Sequence, residues 1–94
     1  MKLALLQAQE NLGHTSNNPS VGCVITKNNS VISVGCTGNN GRPHAEYNAI
    51  NQSKKNLKGA KLYVTLEPCS HYGMTPPCTK SIINNRIKKV FFFL

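Results

Sequence analysis

The stretch Thr65-Leu66-Glu67-Pro68-Cys69-Ser70-His71-Tyr72-Gly73-Met74-Thr75-Pro76-Pro77-Cys78, read with Pro43-His44-Ala45-Glu46 upstream, decides the fold. Leu62 to Leu66 is a short, largely apolar run that reads as a strand, and Cys69 falls just past its C-terminal end. His44 opens an expected helix over 44–53, and Cys78 stands at the start of another over 79–85. One imidazole and two thiols therefore gather at strand-to-helix junctions, where ligands collect in open α/β sheets. Two thiolates and one neutral imidazole suit Zn²⁺ and leave its fourth tetrahedral position to water, whereas a structural zinc is closed by a fourth side chain. His44, Cys69 and Cys78 are the candidate metal ligands.

Zinc lowers the pKa of a bound water to about 7, so hydroxide becomes available at neutral pH. A second group must then move protons. Glu46 lies two residues after His44, on the first turn of the same helix, where its carboxylate can face that water. It would accept the water proton and return it to a ring nitrogen and a departing ammonia. A His-x-Glu tripeptide is weak by itself, as is a Pro-Cys pair; together, in this order and at these junctions, they point to a zinc site that hydrolyses off an amino group. Cys78 at a helix start is expected to ionise readily, since helix N-termini and metals both lower a thiol pKa. His71 competes as a ligand, although the helix ends favour the cysteines.

Outward from these motifs the chain reads as α-β-β-α-β-α-β. Residues 2–12 place Leu3, Leu6, Ala4 and Ala8 at helical spacing, with Leu5 and Leu12 beside them, and Gly13 as the stop. Val21 to Thr26 and Val31 to Cys36 form a hairpin through Lys27-Asn28-Asn29-Ser30. Cys23 and Cys36 lie on its two strands and are expected as small buried apolar residues. Ala45, Ala49 and Ile50 form the inner face of the helix that starts at His44, and Asn56 to Gly59 turns the chain. Ile87 to Leu94 reads as a fourth, buried strand. This order predicts an α/β fold, a three-layer α-β-α sandwich whose mixed sheet begins with an antiparallel hairpin and continues with parallel crossover strands.

At 94 residues the chain is one domain, expected to bury only about 60–65% of its unfolded surface. A metal that binds the folded state alone would add stability by mass action. Eleven basic residues against three acidic ones give a net charge of +8, with Glu46 and Glu67 of the three acids inside the motifs. Such a surface attracts a phosphorylated substrate and equally attracts nucleic acid, and lysine clusters are commonly just solvated. The apolar start Leu3 to Leu6 breaks at Gln7 without a cleavage site, and no apolar stretch approaches the ~20 residues of a membrane span. A cytoplasmic, reducing location is expected, in which paired cysteines are more often metal ligands than disulfides.

Eight residues separate Cys69 from Cys78, where many zinc deaminases have Pro-Cys-x-x-Cys. This connector, with Glu67-Pro68 before it and Thr75-Pro76-Pro77 within it, closely resembles the deaminase half of the bifunctional riboflavin biosynthesis proteins, of cytidine deaminase-like fold. The resemblance runs through Asn18-Pro19-Ser20-Val21-Gly22-Cys23-Val24-Ile25 and Gly41-Arg42-Pro43-His44-Ala45-Glu46 to Ile82-Ile83 and Ile87-Lys88-Lys89-Val90, almost the whole chain. It implies hydrolytic deamination of a diaminopyrimidinone carrying a ribosylamino phosphate. By position it assigns one zinc to His44, Cys69 and Cys78, the proton shuttle to Glu46, and substrate contacts to Asn18 and His71. Thr37 stands where many relatives have histidine and Met74 where many have lysine or arginine; both are candidate substrate contacts. Asn17 replaces a proline common before the Asn-Pro pair.

The family's deaminase domain is longer than this chain, so 1–94 reads as a domain shortened at its C-terminus, without the NADPH-dependent reductase domain and without an NADPH site. An apolar strand ending at Leu94 would then need a homo-oligomer or another partner to cover it. Two other readings remain: a nucleoside or nucleic-acid deaminase, opposed by the eight-residue connector, and a non-catalytic zinc-stabilised module.

Overall fold

The computed structural model describes residues 1–9, 20–38, 44–53, 55–65 and 78–92. Its elements are α1 (Lys2–Gln9), β1 (Gly22–Lys27), β2 (Ser30–Cys36), α2 (Ala45–Gln52), β3 (Lys61–Val64), α3 (Cys78–Asn84) and β4 (Lys89–Phe92). The strands form one sheet in the order β2-β1-β3-β4. β1 is antiparallel to both neighbours, and β3 and β4 are parallel. The expected mixed sheet is therefore present, with the crossover through α3 supplying its parallel pair.

Local chemistry fixes the hairpin. Asn28 and Asn29 have φ of 53° and 65°, the left-handed pair of a type I′ turn, which asparagine tolerates because its short side chain bonds locally. Ile25 pairs with Ser33 but Thr26 with Val31, so Ile32 is an extra residue that bulges β2. At the other end of the crossover, α3 closes in a Schellman arrangement: Ile87 N–H reaches the Ile82 carbonyl at 3.3 Å and Arg86 N–H the Ile83 carbonyl at 3.0 Å. Arg86 takes the left-handed position there, with φ of 56°.

Alternation along β1 divides the layers. Cys23 and Ile25 join Leu62 and Val64 of β3, Ala45 and Ala49 of α2 and Ile82 of α3 in one core. Gly22 faces the opposite side, where a Cβ would lie 1.8 Å from the Ala4 carbonyl oxygen and 2.5 Å from the Ala8 nitrogen. α1 thus packs backbone against backbone on one face, and α2 and α3 cover the other.

Two expectations are modified. In α1 it is Ala4 that is buried, while Leu3, Leu5 and Leu6 remain 39%, 42% and 50% exposed. The close approach at Gly22 admits a small residue and turns the leucines outward. The fourth strand is also not buried: Phe91 and Phe92 are 41% and 37% exposed. β4 lies at the sheet edge with β3 on one side. Val90 packs against the core, and Phe91 stacks on Tyr63 with ring centroids 4.9 Å apart. Residues 10–13, Leu66, Phe93 and Leu94, included in the expected helix and strands, lie outside the described residues.

Candidate metal centre

His44 is the N-cap of α2, in extended conformation, and its carbonyl accepts the Asn48 N–H at 3.1 Å. Its side chain is thereby released from the helix while its backbone begins it. Cys78 is the first residue of α3 and is buried. The two helix starts converge, bringing His44 Nδ1 to 3.4 Å from Cys78 Sγ. A nitrogen and a sulfur sharing a tetrahedral zinc, at roughly 2.0–2.1 and 2.3 Å from it, would be about 3.6 Å apart. The observed separation and the donor types therefore fit zinc. Among the described residues no group of three ligand-type side chains is assembled. The third expected ligand, Cys69, lies outside them, as do Asn18, His71 and Met74.

Glu46 sits on the first turn of α2 and is 4% exposed. Burial raises its carboxyl above the ordinary carboxylate pKa, opposed by a hydrogen bond with its own backbone. Cys23, fully buried in the adjacent strand, has its thiol pushed far up by burial and then by the charges of Glu46 and Cys78. It is the small buried residue the sequence implied. Cys36 is half-buried instead, at the end of β2.

Thr37 directly follows β2 and is 1% exposed. Its N–H donates to the Val21 carbonyl at 2.9 Å, and its hydroxyl accepts the Val21 N–H at 2.8 Å. One strand further, Thr65 N–H donates to the Gly22 carbonyl at 3.1 Å and its hydroxyl accepts the Gly22 N–H at 3.2 Å. The paired threonines clamp the ends of β2 and β3 to the start of β1. Sequence reading assigned no role to Thr65, nor to Asn48, whose amide donates to the Cys36 carbonyl at 2.7 Å. Their only signal was position: Thr65 directly follows the third strand, and Asn48 follows His44 by one helical turn.

Residues 1–94 match the family described as the cytidine and deoxycytidylate deaminase zinc-binding region. The chain is 50% identical over 90 residues to the riboflavin biosynthesis protein RibD of Aquifex aeolicus, covering 96% of this chain and 25% of that protein. It is 49% identical over 76 residues to the diaminohydroxyphosphoribosylamino-pyrimidine deaminase of Buchnera aphidicola, covering 81% of this chain and 52% of that one. The solved structure of the deaminase/reductase from Thermotoga maritima superposes with a TM-score of 0.91 at 45% identity, over 98% of this chain and 27% of that one. The chain thus spans about a quarter of the Aquifex aeolicus protein's length. With the convergent His44 and Cys78, the buried Glu46 and a match along its full length, the chain belongs to the cytidine and deoxycytidylate deaminase family.

Proposed function

We propose that this chain is a zinc-dependent deaminase of the riboflavin pathway, hydrolysing an amino group from a diaminopyrimidinone that carries a ribosylamino phosphate. The carrying observation is the 3.4 Å approach of His44 Nδ1 to Cys78 Sγ, with buried Glu46 on the same helix turn as His44. The named relatives supply the substrate class.

His44 and Cys78, completed by Cys69, would hold one zinc per chain. Zinc, when bound, supplies the Lewis acidity that makes water deprotonatable at neutral pH. Glu46 takes one water proton on its carboxylate and gives it to the ring nitrogen. It then takes the second from the added hydroxyl and gives it to the amino group, which departs as ammonia while the ring carbon keeps the oxygen as a carbonyl. Burial of Glu46 keeps bulk water from competing for that proton. Asn18, His71, Thr37 and Met74 are the proposed substrate contacts. For Thr37 the contact would come from the clamped strand end, its hydroxyl being engaged with Val21.

Purified protein should release ammonia from that substrate and contain about one zinc per chain. Zinc without ammonia release would instead identify a non-catalytic zinc module, and neither would refute the metal-centre assignment as well.

A further inference from the structure

Three contacts among the described residues show how α2 sits on β2. Ser33 Oγ donates to the Ala49 carbonyl, Gly35 lies against the backbone of Ala45 and Ala49, and Asn48 Nδ2 donates to the Cys36 carbonyl at 2.7 Å. The last is tied to the metal centre through the helix backbone, because Asn48 stands one turn beyond His44 and its N–H is bonded to the His44 carbonyl. Cys36 is also no loose anchor. The next residue, Thr37, is bonded to Val21 through both its backbone and its hydroxyl, and Gly22 is bonded twice to Thr65. A belt of hydrogen bonds thus runs across the ends of β2, β1 and β3, and Thr65 stands four residues before Cys69.

We propose that Asn48 is a positioning residue: its amide joins the helix bearing His44 and Glu46 to the hydrogen-bonded belt across the strand ends. This rests on the deaminase reading for its kinetic part and on the metal centre alone for its zinc part. Loss of the donor leaves the Cys36 carbonyl without this bond and frees the first turn of α2 to rotate on the small-residue contact at Gly35. Ligand geometry has to be held within roughly 0.5 Å to be productive, so a small rotation is felt at the metal.

The test compares Asn48→Leu and the near-isosteric Asn48→Asp, which removes the donor while keeping the shape, with Ser33→Ala, which cuts a second hydrogen bond between the same helix and strand. Zinc affinity is measured by chelator competition, kcat and KM separately, and stability by urea unfolding. Asn48→Asp and Asn48→Leu should bind zinc about tenfold more weakly and lower kcat more than they raise KM. Ser33→Ala should lose stability and keep zinc affinity. The proposal is overturned if the Asn48 variants stay within about twofold of the unaltered chain in zinc affinity, or if Ser33→Ala weakens zinc equally for an equal stability loss. Failure of the unaltered chain to release ammonia would refute the deaminase reading, while the zinc comparison still decides the role of Asn48.

Discussion

Substituting Gly35 by alanine perturbs the contact on which the metal-centre helix rests. An alanine Cβ at Gly35 would sit 2.6 Å from both the Ala45 carbonyl oxygen and the Ala49 nitrogen, and 3.1 Å from Ala49 Cα. Ordinary contact begins at 3.4 Å, and every opposing atom is helix backbone, so α2 has to lift by about 0.8 Å. Overpacking of this kind costs about 1–3 kcal/mol. The site responds separately: a displacement approaching 1 Å can cost on the order of 10²-fold in rate, and the same lift parts His44 from Cys78. Urea unfolding of metal-free protein should show the midpoint shifted down with an unchanged slope, and chelator competition should show weaker zinc. An unchanged midpoint would mean that the helix does not rest on Gly35. A lower midpoint with unchanged zinc affinity would mean that its seat does not set the ligand geometry.

Gly22→Ala makes the complementary case: its Cβ would meet the Ala4 carbonyl oxygen at 1.8 Å, so α1 is driven off β1. Because α1 carries no candidate ligand, stability should fall by about 1–3 kcal/mol in urea unfolding while zinc affinity is kept; lost zinc would contradict the separation of the two faces. Glu46→Gln removes a buried carboxyl without touching a ligand, so zinc content should persist while ammonia release falls by about 10²–10⁴-fold. Normal turnover would refute the shuttle assignment. Cys78→Ser should lose both metal and turnover, read by metal analysis and ammonia release on one sample. Arg86→Gly relieves the left-handed φ of 56° at the end of α3 and should stabilise the fold by about 0.5–1 kcal/mol, raising Tm by roughly 3–5 °C. A lowered Tm would show that the arginine side chain contributes more than its backbone costs.

The sequence by itself determined the order of elements, the hairpin and the junctions at which the chemistry gathers. These depend on local signals: Asn28-Asn29 demands a turn, alternation and apolar runs make strands, and His44 and Cys78 stand at helix starts. The residue types of the proposed centre come from the same kind of local signal, since ligand and shuttle chemistry restricts them to a few side chains. Only the tertiary structure decided which face each helix presents and what holds it there. The periodicity of Leu3, Ala4 and Leu6 marks a helix, but the backbone approach at Gly22 selects Ala4 for burial and leaves the leucines outside. Likewise, an asparagine or threonine shows no sign in sequence of the carbonyl or N–H it will meet. Asn48 with Cys36, Thr37 with Val21 and Thr65 with Gly22 are meetings of residues 12, 16 and 43 positions apart, set by strand order and helix docking.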